Sequence, residues 1–178
     1  MKDKILAKRY SIAFFKNISR EQFGQLLHDV EFLRKFVSEY PSVITLLHSP
    51  ITDNEQKENI AKEISEILTF TDRWDHFFKL LIKKNRISIF SMILEELENI
   101  TYRAMDKIRV KIIFAQNESE TIIKKIEAKV ANIIGKAVVS ETFVNPAIIG
   151  GFIAQTESLR IDGSIKGNLV RLQKLIQE

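Results

Sequence analysis

The chain reads as an α+β protein, a six-helix bundle over residues 1–105 followed by a small α/β domain over residues 106–178. Three observations predict this. Apolar residues recur at helical spacing through the first hundred or so residues and switch to strict alternation after Asp106. Nine of the twelve Phe residues precede Met105, as expected of an aromatic-rich core confined to the helical part. Four of the six glycines fall between Asn145 and Leu169, where the pattern runs turn, strand, turn, strand, helix.

The helices come in order. Leu6, Tyr10, Ala13 and Phe14 mark one face of the first, which ends near Asn17. Ser19-Arg20-Glu21-Gln22 has the form of a capping box opening the second. Its apolar face is Phe23, Leu26, Leu27, Val30, Leu33 and Val37. Pro41 suits the first turn of a short third helix, and Pro50 closes it. Thr52-Asp53-Asn54-Glu55 caps a fourth, with Ile60, Ile64, Ile67 and Leu68 on its face. The fifth, Trp74 to Ile82, is apolar nearly all round, through Trp74, Phe77, Phe78, Leu80, Leu81 and Ile82. Such a helix is either central in its bundle or keeps a second face for a partner, and periodicity does not choose between them. A sixth, with Phe90, Ile93, Leu94, Leu97, Ile100 and Ala104, is long enough to lead out as the joint.

In the second part, Val110, Ile112 and Phe114 alternate with Arg109, Lys111 and Ile113 as in a strand with one buried face. Asn117 to Glu120 caps a helix bearing Ile122, Ile126, Val130 and Ile133, and a second strand runs from Ala137 to Phe143. Pro146 has no N–H for a ladder, so a third strand is expected to begin at Ile148 and to continue through Gly150-Gly151. Glycines there signal a bulge or the close approach of another backbone. Asp162-Gly163 turns the chain, and Ile165, Leu169, Leu172 and Ile176 then repeat at helical spacing. Gly167 inside that helix costs about 1 kcal/mol relative to Ala, a cost understood if the helix packs tightly onto the preceding strands.

Composition narrows the function. There is no cysteine, hence no disulfide, thiolate metal site or Cys nucleophile, and no apolar run approaches the ~20 residues that span a bilayer. The N-terminus turns polar too quickly for a signal peptide, so a bacterial cytoplasmic protein is the default expectation. The net charge is +4, with 16 basic and 15 acidic residues up to Met105 and 11 and 8 after it. Neither part has a strong single-sign field. His28, His48 and His76 lack metal-ligand spacing. Gly150-Gly151 lacks the helix N-terminus and Lys of a phosphate loop, and Asp162 and Ser164 read as turn and cap. No catalytic, cofactor-binding or metal-ligating set can be assembled. The residues alone describe a two-part interaction protein. A rival reading is a small RNA-binding or transcription-factor-like helical adaptor, supported by Lys83-Lys84-Asn85-Arg86. A salt titration separates the two, because nucleic-acid binding weakens steeply with salt.

The stretch Pro146-Ala147-Ile148-Ile149-Gly150-Gly151-Phe152, with Asp162-Gly163-Ser164 then opening a helix with Gly167 and Leu169, closely resembles a known signature. It is similar to the C-terminal signature of the delta subunit family of F-type ATP synthases, whose mitochondrial counterpart is the oligomycin-sensitivity-conferring protein. The resemblance extends through Arg9-Tyr10-Ser11-Ile12-Ala13-Phe14 and Leu80-Leu81-Ile82-Lys83-Lys84-Asn85-Arg86-Ile87, and so spans nearly the whole chain. Ser11, where the family usually has Ala, and Thr156-Glu157-Ser158, where Gly-Asp is common, depart from it.

The resemblance implies a non-catalytic stator subunit without cofactor, one copy per complex, on the cytoplasmic face of a bacterial inner membrane. It implies that the helical part binds the N-terminal helix of an alpha subunit between the first and fifth helices. Tyr10, Ala13 and Phe14 are expected on one wall, with Phe78, Leu81 and Ile82 on the other. It further implies that the C-terminal part holds the b subunits of the peripheral stalk, and Leu169, Leu172 and Ile176 are assigned to that contact.

Overall fold

The computed structural model describes residues 2–156 and 158–177, the last four of these as helix backbone only. Among these residues the architecture is α+β, with eight α-helices and one four-stranded sheet. The chain divides into two compact units, Met1–Met105 and Asp106–Glu178.

The first unit carries α1 (Lys2–Phe15), α2 (Phe23–Glu39), α3 (Pro41–His48), α4 (Asn54–Glu66), α5 (Thr71–Lys83) and α6 (Phe90–Ala104). Local chemistry sets their starts. The Ser19 N–H donates to Gln22 Oε1 at 3.1 Å, but the box opens a 3-10 turn over Arg20–Gln22, so α2 begins only at Phe23. Asp53 caps α4 by accepting from the Gln56 N–H at 2.7 Å. Pro41 occupies the first turn of α3, where its missing N–H costs nothing.

These helices share one core, built on Leu26, Val30, Leu33, Trp74, Phe78, Leu81, Phe90, Ile93, Leu94 and Leu97. At its centre lies a carboxylate. Asp29 on α2 is 1% exposed and accepts from the Thr69 N–H (2.9 Å), the Phe70 N–H (3.2 Å) and Trp74 Nε1 (3.0 Å). Three donors offset the desolvation of that group, and together they fix the start of α5 and the rotation of its Trp. Ser11 is fully buried between α1 and α6. Its hydroxyl lies 2.9 Å from both the Ala7 and Ile93 carbonyl oxygens, so the polar group is satisfied. α6 ends at Ala104, Asp106 takes a left-handed φ of 57°, and the next element begins at Lys107.

The second unit runs β1 (Lys107–Phe114), α7 (Glu120–Ile134), β2 (Ala137–Val144), β3 (Phe152–Gln155), β4 (Arg160–Asp162) and α8 (Ile165–Gln177). The strand order is β2-β1-β3-β4. β1 and β2 are parallel, with Ile112 opposite Thr142, and α7 supplies the crossover that parallel strands require. β1 pairs antiparallel with β3, Phe114 opposite Phe152, and β3 pairs antiparallel with β4. The alternation in β1 is as expected: Val110, Ile112 and Phe114 are buried with Val130 and Ala154.

The glycine pair is placed differently from expectation. Pro146–Ile148 is a 3-10 turn, Ile149 has φ 70° and Gly151 φ 77°, and β3 begins only at Phe152. Two left-handed residues after a proline cannot lie in a ladder. The glycines instead permit close approach. A Cβ on Gly151 would stand 2.3 Å from the Gly163 carbonyl oxygen, and one on Gly150 would stand 2.7 Å from Ile165 Cδ1.

Candidate functional site

Between α1 and α5 the surface opens into a groove of about 480 Å³, lined by Tyr10, Ala13, Phe14 and Asn17 from α1 and the residues after it. Opposite stand Asp72, Arg73, His76, Phe77 and Leu80 of α5. Two helical stripes make it: 10, 13/14 and 17 on one wall, and 73, 76/77 and 80 on the other. Rings line its floor. Phe77 meets Tyr10 edge-on at 6.2 Å and Phe14 edge-on at 5.0 Å, and Phe14 lies 4.3 Å from the buried Trp74.

One end is polar. Arg73 reaches across and donates to the Phe14 carbonyl at 3.1 Å and the Asn17 carbonyl at 3.2 Å, with its guanidinium 5.8 Å from the Phe14 ring centre. It thereby satisfies carbonyls at the end of α1 and ties the two walls together. His76 Nδ1 lies 2.6 Å from the Asp72 carbonyl oxygen and must be the donor, since a carbonyl only accepts.

Tyr10, Ala13 and Phe14 line the groove. Phe78, Leu81 and Ile82 do not line the groove. Phe78 and Leu81 are 1% and 0% exposed and pack inward, Phe78 with its ring 5.1 Å from Phe90, and Ile82 is buried beside α4. The wall residues are those about 100° round the helix, Phe77 and Leu80, with Arg73 and His76 beyond them. On a helix apolar nearly all round, spacing finds both stripes but not which one turns inward. Trp74, completely buried and the bulkiest side chain available, decides it. Arg73 escapes a reading of the sequence because its acceptors are backbone carbonyls, which leave no mark there.

The C-terminal signature is a packing and capping device. Asp162 Oδ1 accepts from the Ser164 N–H (3.0 Å) and Ser164 Oγ (2.6 Å), and the Ser164 hydroxyl in turn accepts from the Gly167 N–H at 2.9 Å. That is a cap at the start of α8, with the Asp holding the Ser. The two Ser164 hydrogen bonds hold the Asp162 carboxyl below the usual carboxylate range, Arg160 and Arg171 adding to the effect. A Cβ on Gly167 would lie 2.6 Å from Asp162 Oδ1, so a side chain there has to displace the carboxylate that holds the cap.

Leu169 and Leu172 on α8 are exposed, both at 55%. The side chain of Ile176 lies outside the described residues. Lys83, Lys84 and Arg86 are exposed where α5 ends, and His28, His48 and His76 are also at the surface. Among the described residues no group of three or more His, Cys, Asp or Glu is arranged to hold a metal. The chemistry on offer is apolar recognition, with a polar stop at one end of the groove.

Comparison with known proteins accords with this. Residues 6–176 match the model of the family described as ATP synthase delta (OSCP) subunit. ATP synthase subunit delta of Desulfotalea psychrophila is 30% identical over 178 residues, covering 99% of this chain and 98% of that protein. The same subunit of Syntrophobacter fumaroxidans is 28% identical, covering 99% and 97%. A chain in the cryo-EM structure of the Toxoplasma gondii mitochondrial ATP synthase hexamer shares the fold with a TM-score of 0.80 at 14% identity, covering 97% of this chain and 98% of that one. A match that runs the length of both units makes the conclusion plain: the chain belongs to the ATP synthase delta (OSCP) subunit family.

Proposed function

We propose that this chain is a stator clamp, joining the catalytic head of a rotary ATP synthase to its peripheral stalk. As a member of its family it is a non-catalytic subunit of the F-type enzyme. In this reading the six helices act as one bundle over residues 1–105 and form one domain, and residues 106–178 form a second. The bundle receives the amphipathic N-terminal helix of an alpha subunit in the groove between α1 and α5. The second domain holds the b subunits through α8. One copy serves each complex, at the cytoplasmic face of a bacterial inner membrane. It stays there through its partners, since among the described residues no helix is long and apolar enough to cross a membrane.

The observation that carries the reading is the groove itself, a trough floored by Phe14 and Phe77 and bridged by Arg73. A helix laid in it gains affinity by burying one stripe of its own apolar residues. A nanomolar contact needs about 12 kcal/mol, and gripping two partners through linked units multiplies it by avidity. Slow release matters because torque from the rotating shaft would otherwise carry the head round with it. Holding the head still is what turns proton-driven rotation into ATP synthesis.

Titration of the full chain with a peptide of the alpha subunit's N-terminal residues tests this. Leu80 is 42% exposed on the wall, so Leu80→Asp is expected to fold normally and to weaken binding about 30-fold. Unchanged affinity in that folded variant would remove the groove from the proposal. Phe78 and Leu81 report on folding rather than on binding, because both are buried.

A further inference from the structure

β2 closes the sheet on one side and presents an edge eight residues long. One hydrogen bond tells which of its backbone groups point outward. The Asn145 N–H donates to the Phe114 carbonyl of β1 at 2.7 Å. Successive residues of a strand direct their N–H and C=O to opposite sides. The odd-numbered residues from Ala137 to Phe143 therefore bond to β1, and Val138, Ser140, Thr142 and Val144 direct their groups away from it. Among the described residues no strand pairs with that side.

Folded proteins blunt such an edge with Lys, Pro, a bulge or brevity. β4, at the other end of the sheet, has only three residues. β2 is not shortened in this way. It holds neither Lys nor Pro, pairs with β1 residue for residue without a bulge, and leaves Thr142, Phe143 and Val144 exposed. An open ladder of this length is a template for one more strand.

Register decides which strand fits. An antiparallel addition bonds to the even residues, so its residues facing Val139, Glu141 and Phe143 form the closer, non-hydrogen-bonded pairs. A second copy adding its own β2 about a two-fold axis must match even with even. The longest such overlap, 138–144, sets Glu141 against itself, and like charges directly opposite destabilise. Glu141 is the only charged residue on β2. Its carboxylate pairs with Arg109 and is 35% exposed. Phe143 is 41% exposed, with Lys111 Nζ 5.8 Å from its ring centre.

We propose that the free edge of β2 docks an extended segment of a partner protein. The segment pairs antiparallel, with Lys or Arg opposite Glu141 and β-branched or aromatic residues opposite Val139 and Phe143. The contact uses neither the groove nor α8 and does not depend on the stator reading.

The full-length chain is titrated with a designed peptide, Thr-Val-Thr-Lys-Thr-Val-Thr, whose Lys falls opposite Glu141. One control carries Glu in place of Lys, and another is N-methylated at the threonines, whose amides face the edge. Amide exchange followed by NMR reads the geometry. Bound peptide should slow exchange of the Ser140, Thr142 and Val144 N–H groups about tenfold and leave Val139 and Glu141, already bonded to β1, unchanged. The Lys peptide should bind about fivefold more tightly than the Glu copy, and Glu141→Lys should reverse that order. Thr142→Pro removes an N–H that β1 does not use, so the fold should be kept and binding lost. If that variant unfolds, the N-methylated peptide carries the same test. Undiminished binding by folded Thr142→Pro or by the N-methylated peptide, unchanged exchange at the three amides, or no preference for Lys overturns the proposal. So does a dimer in sedimentation that Thr142→Pro dissolves, since the occupant is then a second copy.

Discussion

α5 and α8 both carry more apolar residues than one buried stripe requires, and they dispose of them in opposite ways. α5 turns its bulkiest residues, Trp74 and Phe78, into the core and leaves Phe77 and Leu80 to form a groove wall. α8 turns its smallest residue, Gly167, toward its own domain and leaves Ile165, Leu169 and Leu172 largely outside. Large side chains go inward where there is volume to fill between helices. A glycine goes inward where two segments nearly touch, as at Asp162. The direction of an amphipathic helix is thus read from its extremes of size rather than from its hydrophobic average.

That contrast is open to breaking. The largest effect is expected on α5: Trp74→Ala removes a fully buried indole and orphans one acceptor site on Asp29, and should cost about 4 kcal/mol, read from urea denaturation followed by circular dichroism. Gly167→Ala is the sharper test on α8. In an ordinary helix interior this change stabilises by about 1 kcal/mol. Here the added methyl meets a carboxylate pinned by Ser164, so the sign should reverse, with a loss of about 1 kcal/mol as the cap loosens. A gain in stability would mean that the small inward face is not what seats the helix. Leu169→Ala should change stability by less than about 0.5 kcal/mol, whereas the same change in a buried leucine such as Leu81 should cost about 3 kcal/mol.

The smallest effect is one of pH. The Asp162 carboxyl is held below its ordinary value by Ser164. Its contribution is therefore complete above the ordinary carboxylate pKa of about 3.9 and is lost as pH falls through the depressed value. Asp162→Asn removes this dependence. Stability profiles of the two proteins should differ at neutral pH and converge in acid; parallel profiles would assign the cap to the hydroxyl alone.

Much of this molecule is legible in its sequence. The stripe on α2, the alternation in β1 and the caps at Asp53 and Ser164 come from spacing and side-chain chemistry that act over a few residues. What stays hidden depends on partners far along the chain. Asp29 is 45 residues from the Trp that it orients, and Arg73 binds carbonyls 56 and 59 residues away. The glycine pair reads as strand because the reason for it, the carbonyl of Gly163, belongs to another turn. Which stripe of α5 lines the groove is also hidden, since periodicity is symmetric where apolar residues nearly encircle an axis.

Ser11 has a consequence for how the groove comes into being. Its hydroxyl fastens α1 to the Ile93 carbonyl, 82 residues later, and α1 provides one whole wall. During synthesis that wall has nothing to lie against along α6 until the sixth helix has left the ribosome. A nascent chain that stops short of Ile93 therefore lacks the contact that fastens α1, so this wall of the groove is not fixed until the helical part is nearly whole.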